Sequence, residues 1–347
     1  MMNHVIKILS SDRLFSVDYF QQVDWAKWRT QVVNDGLASL CYPKISHACD
    51  SLPPEAGRFF RTWYENAVIF KDFAVQVLKD LQPALSAAGT VVLTQGMALS
   101  EIIYPEPLCR AMGDVDLFLP DKNMKEIRHI FLEYGFKPYR DYTNVLEYNQ
   151  LMIDLHEGLW GTDRFTQRET IIPVRRVAWL PSALVPGLYV LHPEHLALHC
   201  AFHGVKHGFN KAIWDCDLIR LYYAGFLTTT ARSREEYLLK YITFNHLRGK
   251  KMLPVSIGDN KNFRIAPVVR GAVTLLVPHC NRPGFGQMLL TFLCPSLKTW
   301  LSYFVAILLP PRRILLQMYG RRPYGLLLIR RMIDLLKYSG KAFKRWY

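Results

Sequence analysis

Apolar residues recur along this chain with two different periods, and the change between them divides it. Up to about residue 88 the spacing is helical, most plainly over Asp24–Val33 and Phe59–Phe73. Pro53-Pro54 marks a break and a helix start, because proline fits a first helical turn. At Ala88-Gly89 the pattern changes. Thr90-Val-Val-Leu-Thr94 is a β-branched run of the kind that forms a buried strand, and Val115–Leu119, closed by Pro120, predicts a second. A short helix from Ala98 to Tyr104 lies between them, after a Gln95-Gly96 turn. Lys122–Tyr134 gathers Ile127, Ile130 and Phe131 on one face, with Gly135 placed to end the helix. Asn144–Tyr148 and Leu151–His156 predict two more strands, and Ile171–Trp179 a further extended piece. Beyond Pro193 the helical period returns in Glu194–His207, Ile213–Tyr223, Arg234–His246 and Pro267–Val277. The expected organisation is a helical region over 1–88, a mixed core over 89–180, a helical domain over 181–311 and a tail over 312–347.

Composition narrows the class. Half of the 347 residues are apolar, enough for a sizeable core and too many for a disordered chain. The seven cysteines include no Cys-x-x-Cys pair and are odd in number, which suits free thiols in a reducing cytoplasm. The N-terminus lacks the apolar run of a secretory signal. The formal charge of +14 is uneven, since residues 312–347 hold ten basic residues against Asp334 alone. Basic residues interleaved with Leu, Ile and Tyr predict peripheral contact with an anionic membrane at its inner face; a solvated face on terminal helices is the other reading. No specific nucleic-acid binding is expected. Thr299–Leu309 is the most hydrophobic window but only eleven residues long, short of the roughly 20 that span a bilayer. It predicts a core or interfacial helix.

The chemistry concentrates in the mixed core. Side chains at i and i+2 of a strand share a face, roughly 6.5–7 Å apart. Asp114 and Asp116 therefore stand side by side, and their repulsion calls for a cation between them. Asp154 lies in the strand-like run Leu151–His156, where a charge has little structural purpose. Pairing of the two strands would bring three carboxylates together to hold Mg²⁺ or Mn²⁺, with Asp154 completing the site or taking a proton from an acceptor hydroxyl. Its plainer role is an ion pair with His156 or an arginine. Gly96 permits close approach of backbone N–H groups to phosphate, and Arg110 offers a bidentate clamp for a triphosphate or a salt bridge to the acidic cluster. His195, His199, His203 and His207 form one helical stripe. With no further ligand identifiable, the stripe reads as a polar face toward the cleft, with Lys206 reaching a phosphate, and not as a zinc site. Asp217 is placed to orient one of these histidines.

Taken in order, these segments are Gln95-Gly-Met-Ala-Leu99, Tyr104-Pro105, Arg110, Asp114-Val-Asp-Leu-Phe-Leu119, Asp154-Leu-His156, His203-Gly-Val-Lys-His207, Trp214 and Asp217-Leu218. Over residues 20–225 the series resembles a bacterial family of uncharacterised nucleotidyltransferases in the polymerase-β-like superfamily. The resemblance implies an α+β fold, with a small mixed sheet flanked by N-terminal helices and a C-terminal helical domain. It implies transfer of a nucleoside monophosphate from an NTP such as ATP to an acceptor hydroxyl or phosphate, releasing pyrophosphate, in surface-polysaccharide or natural-product pathways. Asp114, Asp116 and Asp154 would be the metal ligands, and Gln95, Gly96, Arg110, His203, Lys206 and His207 would bind the nucleotide. Gln95 stands where the family usually has lysine. With Met97 it favours the alternative, a catalytically inactive nucleotide-binding or scaffold protein of a membrane-associated assembly pathway.

Overall fold

A computed structural model of the chain describes residues 2–11, 13–15, 23–46, 53–140, 142, 144–159, 177–254, 263, 265–279, 285–294 and 323–343, with scattered positions between 296 and 316. Its strands are β1 (Val92–Leu93), β2 (Val115–Phe118), β3 (Lys137–Pro138), β4 (Val145–Tyr148), β5 (Leu151–His156), β6 (Trp179–Pro181) and β7 (Tyr189–Leu191). They form one mixed sheet in the order β3-β4-β5-β2-β1-β7-β6. The central pair, β2 and β5, runs parallel with Asp116 opposite Asp154 and Phe118 opposite His156. β1 lies antiparallel to β2, and β4 antiparallel to β5.

Alternation along the central strands decides which residues serve the core. Val115, Leu117, Ile153 and Leu155 point to one face and are fully or almost fully buried. There they join Leu78, Leu81 and Leu85 of α4 (Pro54–Ala88) and Ile127 and Phe131 of α6 (Met124–Tyr134) in one apolar cluster. The intervening Asp116, Phe118, Asp154 and His156 take the opposite face. Phe118 belongs there to a second cluster, shared with the remaining helices.

Those helices come from both ends of the chain. α1 (Met2–Leu9), α2 (Trp25–Asn34) and α3 (Ala38–Ile45) precede the sheet; α7 (Pro193–Lys206), α8 (Ala212–Tyr223) and α9 (Arg234–Gly249) follow it. Val5, Leu9, Trp28, Leu40, Leu196, Leu218 and Leu239 share the second cluster. Arg220 ties the two ends further, donating to the Leu9 carbonyl at 2.8 and 3.0 Å and to that of Ile103 at 3.2 Å. α10 (Pro267–Leu276), α11 (Phe285–Thr291) and α12 (Tyr324–Phe343) follow these. None of the described helices is long and apolar enough to cross a membrane. Cys41, Cys109, Cys200, Cys216 and Cys294 are buried free thiols.

Two local readings change. The helix expected from Ala98 begins earlier: α5 spans Gln95–Ile102, so the residues read as a turn form its first turn. The chain makes the corner in one step, with Thr94 extended and Gln95 at φ +44°. The extended piece expected over 171–179 falls mostly outside the described residues, and β6 begins at Trp179.

Candidate metal centre

Parallel pairing of β2 and β5 brings together the acidic groups that their sequence separates. His156 Nε2 lies 3.0 Å from Asp116 Oδ1 and 3.4 Å from Asp154 Oδ2. One ligand atom from each of Asp116, Asp154 and His156 lies within 4.8 Å of the others, and among the described residues no other group of three potential ligands does so. The Asp116 side chain is 8% exposed, whereas those of Asp154 and His156 are 25% and 21% exposed. The cluster is thus anchored deep and open on one side. Asn144, just before β4, donates to Asp154 Oδ1 at 2.6 Å, which holds that carboxylate in register and leaves Oδ2 toward His156. Thr94 donates through its backbone N–H and its hydroxyl to the Asp116 carbonyl, joining the start of α5 to the strand that carries Asp116.

Asp114 has the parity of Asp116 and stands just before β2. As a residue it keeps solvent access at the mouth of the site. The atoms packed around its carboxyl, and then the charges of Asp116 and Asp154, push its pKa up to about 7. Like charges held this close oppose further ionisation unless a positive group intervenes. Arg110 is one such group in the protein itself. A divalent cation is the stronger one, and carboxylate oxygens of this number and closeness fit Mg²⁺ or Mn²⁺.

Arg110 does not present its fork to the cleft. Its Nε and Nη2 donate to Asp217 at 2.9 and 2.8 Å, and Tyr104 donates its hydroxyl to the same carboxylate at 2.7 Å. Burial alone would loosen the Arg110 proton, but the Asp217 contact overcomes it and the guanidinium stays charged. The bidentate pairing read as a triphosphate clamp therefore goes to Asp217, because a buried arginine is costly without a partner. Asp217 accordingly binds Arg110 and Tyr104 rather than orienting a histidine. Gly96 is buried, and a Cβ there would meet Met112 Cβ at 3.0 Å and Arg110 Nη1 at 3.3 Å. Its missing side chain makes room for that packing.

The histidine stripe divides by depth. His195 is buried and accepts the Ala178 N–H through Nδ1 at 2.9 Å. His203 and His207 lie with ring centroids 4.5 Å apart, and each packs against Trp214 at 5.0 and 5.4 Å. Burial, followed by the nearby His207, Lys206, His199 and Arg110, lowers the His203 pKa well below its ordinary value. The ring is neutral, so it can offer an N–H donor but not a charge. Lys206 is half-buried on the last turn of α7, and Gln95 occupies the first position of α5.

Asn144 was not among the expected site residues, and His156 was expected only as an ion-pair partner of Asp154, a contact it makes at 3.4 Å. Its place in the cluster was legible, since it lies two positions beyond Asp154 in the same strand. Asn144 carried no such signal, because its role depends on how the strands pair across a turn.

A family model described as an uncharacterised nucleotidyltransferase matches residues 21–231. No curated protein and no solved structure matches the chain. The matched stretch runs from α2 through the whole described sheet to the helices carrying Lys206 and Asp217, and covers well over half the length. The chain belongs to the uncharacterised nucleotidyltransferase family.

Proposed function

We propose that the protein transfers a nucleoside monophosphate from an NTP to an acceptor hydroxyl or phosphate, using a divalent cation held by Asp114, Asp116 and Asp154. The observation that carries this reading is the convergence of Asp116, Asp154 and His156 on one open face of the sheet, within a family of nucleotidyltransferases. When bound, Mg²⁺ or Mn²⁺ would gather triphosphate oxygens and offset the charge that builds on the departing pyrophosphate. Asp116, the most buried of the set, fixes the position of the site. Asp154, steadied by Asn144, accepts the proton of the incoming hydroxyl as its oxygen bonds to the α-phosphorus and the bond to pyrophosphate breaks. The N-terminal turn of α5, with Gln95 and Gly96, supplies backbone dipoles for the phosphates. Lys206, His203 and His207 bound the nucleotide on the α7 side. Arg110 contributes as a fixed charge near Asp114, not as a clamp.

The test is pyrophosphate release from each of the four NTPs with Mg²⁺ or Mn²⁺. The parent protein releases pyrophosphate only with metal present. Asp116→Asn lowers the rate at least about a hundredfold, while its melting temperature stays close to the parent's, because the weakened contact with His156 and the relieved carboxylate repulsion oppose each other. Turnover unchanged in that variant, or independent of metal, would remove the mechanism.

A further inference from the structure

Two apolar stripes near the C-terminus face water. In the window Thr299–Leu309, Leu301, Val305 and Leu309 recur every fourth residue and are 47%, 52% and 52% exposed. Within the same window Trp300 packs against the core, so its described residues serve both the core and an open apolar side. In α12, Leu326, Ile329 and Ile333 follow one another at helical spacing and are 54%, 57% and 43% exposed, while Leu327 on another side is fully buried. One contact of the helix with the protein is thus already made, and a second apolar face is left open. Exposed apolar residues grouped on one side, rimmed by charge, are the mark of a binding surface.

Charge identifies what covers them. Arg330 is exposed beside the apolar face, and in the sequence Lys337 and Lys341 follow it at the spacing of one helical edge. Between the two stripes lie Arg312, Arg313, Arg321 and Arg322. A second copy of this chain would bring like charge against like. A nucleic acid would engage the arginines but leave the leucines and isoleucines in water. An anionic lipid surface satisfies both, taking apolar side chains into its acyl boundary and holding arginines at its headgroups.

We propose that the exposed apolar residues Leu301, Val305 and Leu309 and those of α12, with Arg330 beside them, form an interfacial anchor that seats the protein on an anionic bilayer without crossing it. The inference rests on residues remote in sequence from the metal centre and stands or falls independently of nucleotidyl transfer. The full chain is sedimented with vesicles of phosphatidylcholine alone and of equimolar phosphatidylcholine and phosphatidylglycerol. Partitioning into the anionic vesicles is at least about tenfold the greater and weakens with added salt. Ile329→Glu combined with Ile333→Glu reduces it at least about tenfold, and Arg312→Gln combined with Arg330→Gln about fivefold or more. The two isoleucines are solvent-facing, so the first pair keeps the parent's melting temperature, which separates lost binding from lost folding. Equal binding to both vesicles, or parent-like sedimentation of the isoleucine variant, overturns the proposal. So does duplex-DNA binding or self-association in place of partitioning into either vesicle.

Discussion

Asp114 would couple the proposed metal centre to pH. In the folded protein its pKa is pushed up to about 7, first by burial of the carboxyl and then by the neighbouring aspartates. An unfolded aspartate titrates near about 4. Between those values the folded state holds the extra proton, so this group's contribution favours folding in acid. That contribution is lost as pH rises through about 7. Metal binding runs the other way, because a cation needs the deprotonated carboxylate and competes with the proton below that value. The rise in melting temperature produced by Mn²⁺ should therefore grow between about pH 6 and about pH 8. In Asp114→Asn the same increment should be nearly flat over that range. Thermal melts at matched ionic strength, with and without Mn²⁺, give the comparison, and an equal slope in both proteins would show that another group governs the linkage.

At the scale of elements, the strand β5 separates stability from chemistry by alternation alone. Ile153 is fully buried between the sheet and the helices α4 and α6, and Asp154 next to it faces the open site. Ile153→Ala should lower unfolding stability by about 2–5 kcal/mol, the range for deleting a buried aliphatic side chain. Asp154→Asn should leave stability within about 1 kcal/mol of the parent or raise it, since it relieves carboxylate repulsion. Urea unfolding and calorimetric titration with Mn²⁺ should thus give opposite profiles, with metal affinity lost in the aspartate variant and kept in the folded fraction of the isoleucine variant. The same alternation explains what was legible beforehand. Leu151–His156 reads directly as a strand with Asp154 out of place in it, and Asp114 and Asp116 announce a shared face. The parity rule needs no knowledge of neighbours. What the rule lacks is register: the placement of Asp116 opposite Asp154, and of Asn144 against Asp154, follows from how separate strands meet. The start of α5 at Gln95 was obscured for a local reason, because a residue at φ +44° before a glycine carries the signature of a turn.

Across the whole molecule, the sheet that carries the acidic cluster is joined to the helical body by a buried polar knot. Arg110 lies on the segment entering β2, Tyr104 follows α5, and Asp217 is on α8, with 2% of its surface exposed. Both faces of the carboxylate are occupied, by a bidentate guanidinium and a phenol. This pairing could not be read from sequence, because 107 residues separate the ionic partners and the Arg110 fork suits a phosphate equally well. Its energetics predict an asymmetric mutant cycle. Asp217→Asn leaves Arg110 charged and buried beside a weaker acceptor, so it should destabilise by about 3–5 kcal/mol, the cost of breaking a buried pair from one side. Arg110→Met leaves the opposite charge stranded and should cost a similar amount. The double variant Arg110→Met with Asp217→Leu removes both charges together and should be less destabilised than the sum by at least about 2 kcal/mol. Equilibrium urea unfolding of the four proteins measures the coupling. Additive losses would mean that the pair adds little to the attachment of the sheet. A large coupling would make Arg110 a structural cation whose task is to hold the helices against the strand that carries Asp114 and Asp116.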